Sequence, residues 1–158
     1  MRGHKTKITC EHCKKAYELT TTGKLKAVSG DTEFEFVTDW YAWERECVKN
    51  EILNTTYCME FEAEIMMYAG NKAIYKVGRG IFHHDINGFK LTGNEGLWEY
   101  TQSPKASYSL YADYFWYEIG DMVCIGDTKY QYYCFPVNQE SAIVAKARLA
   151  AEEMYKLA

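Results

Sequence analysis

Between Thr56 and Val137, apolar and polar residues alternate with a period of two, and turn signals interrupt them at short, regular intervals. This pattern constrains the fold most, because each such segment exposes one face as a strand and must bury the other. Phe61, Ala63, Ile65 and Met67 alternate with polar residues, and Gly70-Asn71 follows as a turn. Ala73, Tyr75 and Val77 alternate next, with Gly78 and Gly80 marking a bend or bulge before Ile81-Phe82. Residues 85–88 and 93–96 read as turns around a short strand at 89–92, and a strand at 97–101 breaks at Ser103-Pro104. Residues 107–119 form the longest strand candidate, turned by Gly120-Asp121. Its tyrosines are read as core and sheet face rather than as a ligand cavity or a base-stacking platform. Strands at 122–125 and 130–135, separated by Gly126-Asp127, complete seven antiparallel strands in a meander.

Helical periodicity flanks this region on both sides. Trp40, Trp43 and Cys47 recur at i, i+3 and i+7, and Tyr41, Val48 and Ile52 broaden the same apolar side. Thr38 or Asp39 is the expected N-cap, and Glu44, Arg45, Glu46 and Lys49 are left for solvent. After Pro136 a second helix is expected over 139–157. Its stripe is Ile143, Ala147, Ala150, Met154 and Leu157, with Lys146, Arg148, Glu152, Glu153 and Lys156 on the other sides. The fold class is therefore α+β. Two domains are expected, a small hairpin unit over 1–30 and a helix plus β-rich domain over 31–158.

No run of apolar residues is long enough for a membrane span or a signal core, so a cytoplasmic protein is expected. Residues 1–30 carry a net charge of +5 and the remainder −9, within a total of −4. An acidic body lacks the concentrated basic face that nucleic acid requires, and nucleic acid is not an expected partner. Of the six cysteines, Cys47, Cys58, Cys124 and Cys134 stand singly among apolar neighbours and read as small buried hydrophobes.

Cys10 and Cys13 form a Cys-x-x-Cys pair ahead of two short strand candidates, 17–19 and 24–28, joined by Thr20-Thr-Thr-Gly23. The spacing suits a zinc-ribbon-like knuckle, where a tight turn aims two thiolates at one tetrahedral ion. A closed zinc site needs four ligands, and the chain has no second pair. His4 or His12 can contribute, two chains can pool their pairs in a homodimer, or the knuckle has lost its other half and keeps two free thiols. A redox pair is disfavoured, since no helix follows the motif in a βαβ unit.

His83-His84-Asp85 is the other grouping with chemical potential. Adjacent strand residues point to opposite faces, so the two histidines do not share an ion, and Asp85 reads as the residue that opens a turn. Glu62 and Glu64 share one strand face, as on any solvated edge. No nucleophile elbow or phosphate-binding glycine loop occurs, and no catalytic residue is assigned.

Seven strands followed by an amphipathic helix resemble the pleckstrin-homology-like barrel, in which that helix plugs one end. Headgroup phosphates are then expected around Lys72, with Lys76 and Arg79 nearby, and three such cations give only loose, salt-sensitive membrane attachment. A wider resemblance rests on longer strings: Cys10-Glu-His-Cys13-Lys-Lys-Ala-Tyr-Glu-Leu19, Asp39-Trp-Tyr-Ala-Trp-Glu-Arg-Glu-Cys-Val48, Gly88-Phe-Lys-Leu-Thr-Gly93, Ala106-Ser-Tyr-Ser-Leu-Tyr-Ala-Asp-Tyr114 and Ala145-Lys-Ala-Arg-Leu-Ala-Ala-Glu-Glu153. Together they are similar to the C-terminal region of Firmicutes 1-acyl-sn-glycerol-3-phosphate acyltransferases. Such enzymes use a His-x-x-x-x-Asp motif, but the residues five past His4, His12, His83 and His84 are Thr9, Tyr17, Gly88 and Phe89. The resemblance thus implies a non-catalytic accessory domain of phospholipid synthesis, partnered by an acyltransferase domain or another chain. It makes at most weak membrane contact, and zinc at Cys10 and Cys13 is its one implied cofactor. The alternative is a small-ligand-binding barrel with an aromatic cavity among Tyr108–Tyr117.

Overall fold

A computed structural model describes residues 2–10, 13–69, 73–138 and 143–158, without the side chains of residues 2, 69, 94, 114 and 115. It contains two compact units, residues 1–47 and 48–158, and the division falls within the first helix.

The first unit is built on four short antiparallel strands in sequence order: β1 (Arg2–His4), β2 (Lys7–Thr9), β3 (Ala16–Leu19) and β4 (Leu25–Ala27). The β3–β4 turn forms where expected. Gly23 takes a positive φ of 80°, and the Thr20 hydroxyl donates to the Lys24 carbonyl at 3.0 Å. Four strands this short bury little aliphatic surface, and aromatic rings make up the difference. Tyr17 is buried and meets the Trp40 ring edge-on at 5.2 Å, while Phe34 stacks on Trp40 at 5.4 Å.

Helix α1 runs from Val37 to Leu53. It begins before the expected cap. Asp39 sits three residues into the turn and reaches back, its carboxylate accepting the Phe36 N–H at 2.9 Å, as the acidic member of a capping box does. Trp43 and Tyr41, expected on the buried side, are exposed; only Val48 and Ile52 are fully buried along this helix.

The second unit holds the seven expected strands, β5 (Cys58–Ala69), β6 (Ala73–Asp85), β7 (Gly88–Gly93), β8 (Trp98–Gln102), β9 (Tyr111–Trp116), β10 (Gly120–Gly126) and β11 (Tyr130–Pro136). All pairings are antiparallel, in the order β8-β7-β6-β5-β11-β10-β9. The simple meander is therefore corrected: β5–β8 and β9–β11 are two meanders joined by β11 lying beside β5. The closed barrel is corrected too, because β8 and β9 are the two ends of the sheet and do not pair. The expected bulge exists. Ile65 faces Gly78 and Met66 faces Lys76, so Val77 is the extra residue.

Although open, the sheet curls on itself. Trp98 of β8 stacks on Tyr132 of β11 at 5.4 Å, and Tyr100 lies 5.1 Å from the same ring. Ile65, Phe82, Leu91, Val123 and Cys134 fill the interior. Helix α2 (Ile143–Leu157) packs on it through Val144, Ala147 and Ala151, and its Leu149, Ala150 and Met154 meet Val48, Ile52 and Tyr57. An element covered on two sides has no fully solvated flank. Glu152 and Glu153, expected in solvent, are buried, whereas Leu157 of the expected stripe is exposed. Glu152 accepts from Ser109 Oγ and from Arg148 Nε, both at 3.2 Å, and Glu153 from Lys156 Nζ at 2.6 Å. Paired in this way, neither carboxylate is left uncompensated. Residues 139–142, the expected first turn of this helix, lie outside the described residues, as does the Gly70-Asn71 turn.

The long strand expected over 107–119 is shorter. Ser107–Leu110 belongs to the β8–β9 link, and Tyr117 and Glu118, both at positive φ, make the turn assigned to Gly120-Asp121. Tyr108, Tyr111 and Tyr117 are exposed, contrary to their expected core role. The Tyr114 side chain lies outside the described residues. Cys124 and Cys134 are buried as expected, but Cys58 is exposed at the start of β5.

Candidate functional site

Three places in the molecule gather chemically capable side chains. The first is the β2–β3 connection. The Cys10 carbonyl accepts the Lys14 N–H at 2.9 Å, and the Cys10 N–H donates to the Lys15 carbonyl at 2.8 Å. Lys14 takes φ of 61°, the left-handed conformation that lets the chain leave a tight knuckle. Cys13 is exposed and Cys10 half-buried, and the predicted knuckle between them falls on residues 11–12, outside the described residues. His4 pairs with Lys7 in the β1–β2 register, three residues back along the strand from Cys10. His12 lies outside the described residues. No cluster of three or more potential metal ligands exists among the described residues. One chain's described donors thus fall short of a closed zinc site.

The second place is the end of β6. His83 and His84 point to opposite faces, as strand geometry requires. The outward His83 lies between two carboxylates, with Nδ1 3.1 Å from Glu60 and Nε2 3.3 Å from Asp85. Partial burial works against its charge, but the two acceptors prevail and raise its pKa above the ordinary imidazole value. His84 is buried, its Nδ1 3.0 Å from the Tyr57 hydroxyl and its ring stacked 3.9 Å from that of Phe89. Burial lowers its pKa to about 3, with small opposed effects from Asp85 and His83. Asp85 opens the turn as expected, accepting the Asn87 N–H at 2.8 Å. Among the described residues, the hydrogen-bond partners of the two imidazoles are Tyr57 for His84, and Glu60 and Asp85 for His83. Tyr57, the buried partner, escaped sequence reasoning because it follows a polar stretch, Asn54-Thr-Thr, in which a lone aromatic gives no periodic signal.

The third place is the seam between β8 and β9. Gln102 closes β8, and its Oε1 accepts the Gly126 N–H of β10 at 3.3 Å. Beside it lies a cavity of about 150 Å³ lined by Gln102, Ser107, Ser109, Tyr111 and Gln131 over an apolar floor of Leu110 and Ile125. A shallower cleft of about 390 Å³ lies toward His83, Asp85, Lys90 and Thr101. The link between the strands is anchored to α2, since Lys105 Nζ donates to the Tyr155 carbonyl at 3.0 Å. No periodic signal marks Gln102, because its role depends on a strand 24 residues away.

On the outer face of β5 and β6, the candidate phosphate contacts already have partners. Lys76 pairs with Glu64 at 3.1 Å, and Arg79 pairs with Glu62 at 3.2 Å and Glu64 at 3.7 Å. Lys72 lies outside the described residues. Set against known proteins, the chain matches no family model, no curated protein and no solved structure.

Proposed function

We propose that the chain is a non-catalytic accessory module, of the kind its sequence resembles in bacterial lysophosphatidate acyltransferases, acting through contact with an acyltransferase domain. The observation that carries this reading is the strand order β8-β7-β6-β5-β11-β10-β9 with the C-terminal helix packed on the sheet. That order resembles the pleckstrin-homology-like plan without its closure, and the resemblance supports a role in recognition by analogy of fold alone. The chemistry at β6 is consistent with it, since His84 is committed to the core and His83 to an ion-pair cluster. Lipid headgroups are secondary in this reading, because a phosphate must displace Glu62 and Glu64 from Arg79 and Lys76.

The test is acyl transfer and binding measured together. The purified chain alone transfers no acyl group from an acyl-thioester to lysophosphatidate, and it binds the catalytic domain of a Firmicutes acyltransferase in calorimetry. Turnover that survives re-purification and disappears with one substitution in this chain overturns the reading. Small-ligand binding is the second reading, favoured by the polar lining of the seam cavity. Against it, about 150 Å³ is half or less of the volume typical of sites for drug-sized ligands.

A further inference from the structure

We propose that the outer face of β9–β11, at the tip of the β9–β10 hairpin, docks an arginine-bearing segment of a partner protein, an inference that rests on the reading of the chain as a partner-binding module. From Ala106 to Thr128 the sequence carries Asp113, Glu118, Asp121 and Asp127 and no Lys, Arg or His. Asp113 pairs with Met122, Met122 clusters with Phe135, and Phe135 pairs with Glu64, so the carboxylates of β5 and β9 share one face of the sheet. On the β5–β6 half of that face the fold answers its own charges, Glu64 with Lys76 at 3.1 Å and Glu62 with Arg79 at 3.2 Å. On the β9–β10 half it does not. Asp113 accepts from the Tyr111 hydroxyl at 3.1 Å, and among the described residues no Lys or Arg pairs with it or with Glu118. Charge complementarity there calls for a cation from another molecule, and the same carboxylates repel phosphate-bearing partners.

Beside them stands a rigid aromatic corner. Trp116 stacks on Tyr133 at 5.1 Å and lies 5.8 Å from the buried Phe135. Tyr117 meets the Trp116 ring edge-on at 4.7 Å and is 80% exposed. A guanidinium stacks on such rings while its planar donors pair with a carboxylate, a combination that lysine makes poorly. Trp, Tyr and Arg are also the residues that dominate binding across protein interfaces.

The backbone at the tip is strained. The Ile119 N–H donates to the Trp116 carbonyl at 2.9 Å, closing a two-residue turn with Tyr117 at φ 46° and Glu118 at φ 62°. Glycine and asparagine take such positions at little cost, and a ring and a carboxylate in their place indicate a use for the side chains.

The experiment uses the full chain, labelled for nuclear magnetic resonance and titrated at low salt with a short synthetic peptide of alternating arginine and serine. Shifts concentrate at Trp116, Tyr117 and Glu118 and fade as salt rises. The lysine version of the peptide binds more weakly, and the glutamate version does not bind. Tyr117→Asn, which suits the positive φ and so keeps the turn, weakens binding about threefold. Asp113→Asn/Glu118→Gln keeps the side-chain shapes and weakens it about tenfold. Shifts centred elsewhere, equal affinity for the arginine and glutamate peptides, or parental affinity in both variants overturns the proposal. So does a chain that doubles its mass on concentration and loses this with Tyr117→Asn, since the face then joins two copies. The catalytic domain of a Firmicutes acyltransferase is titrated into the same proteins. Parental binding of that domain by both variants overturns this inference and leaves the accessory-module reading standing, whereas no binding of that domain beside intact peptide binding does the reverse.

Discussion

The Tyr57 hydroxyl and His84 Nδ1 meet 3.0 Å apart in the core, their rings edge-on at 5.2 Å. Each is the other's polar partner, and neither is reached by solvent. Tyr57→Phe leaves a buried ring nitrogen without a partner and costs about 1–3 kcal/mol. His84→Leu strands the phenol at a similar cost, while the double variant loses less than the two combined. Urea unfolding of the four proteins gives the coupling; strictly additive losses would show that the bond contributes nothing.

The same pair sets a pH dependence. His84 has a folded pKa of about 3, depressed by burial, against about 6.5 in an unfolded chain. Between those values the unfolded state binds a proton that the folded state refuses, so stability falls as pH drops from about 6.5 toward about 3. The limiting slope for one proton is about 1.4 kcal/mol per pH unit. His83 acts oppositely. Glu60 and Asp85 hold its folded pKa above the unfolded value, so its contribution is full below about 6.5 and lost as pH rises through the folded pKa. Nuclear magnetic resonance of the imidazoles is the check: His84 stays neutral at pH 5 and His83 is protonated there. A reduced acid slope in the Tyr57→Phe/His84→Leu variant separates His84 from the carboxylates.

Gly93 lies directly under an indole. A Cβ built there falls 2.1 Å from Trp98 Cζ2 and 2.2 Å from Cε2, closer than real atoms approach. Trp98 has little room to yield, because its ring stacks on Tyr132 across the curled sheet. Gly93→Ala therefore costs about 1–3 kcal/mol, the usual penalty of overpacking. An unfolding midpoint equal to the parent's would mean that the Trp98–Tyr132 stack is loose in solution.

Local pattern was legible in the sequence, and long-range pairing was not. Alternation in Phe61–Ile65 and the turns at Asp85–Gly88 and Thr20–Gly23 depend on neighbours within a few residues, and all formed as expected. Whether β8 meets β9 depends on the curl of seven strands, which no short window records. Glu152 and Glu153 were misplaced for the same reason: a helix period reports an apolar side, and α2 is covered on two. Of the candidate site, Asp85 was readable as a turn opener, and the opposite facing of His83 and His84 follows from strand geometry. The Tyr57–His84 pair and the Gln102–Gly126 bridge join residues 27 and 24 positions apart, and nothing in either local sequence announces its partner.

The seam gives the last prediction. β8 and β9 terminate the sheet, so backbone groups facing the gap have no ladder to join. Gly126 ends β10 two residues past its last β9 pair, Cys124–Tyr111, and its N–H meets Gln102 Oε1 of β8 at 3.3 Å. Ser109 Oγ on Glu152 and Lys105 on the Tyr155 carbonyl hold the intervening link against α2. Gln102→Leu keeps the side chain's bulk and removes the acceptor, so stability drops by about 1 kcal/mol. The loss is local, and amide hydrogen exchange reads it out: Gly126 exchanges faster in the variant, while Phe82, paired with Phe61 and Leu91 in mid-sheet, keeps its protection. Equal Gly126 exchange in both proteins would show that Gln102 does not bridge the seam in solution. Faster exchange at Phe82 as well would show that the bridge supports the whole sheet rather than its open edge.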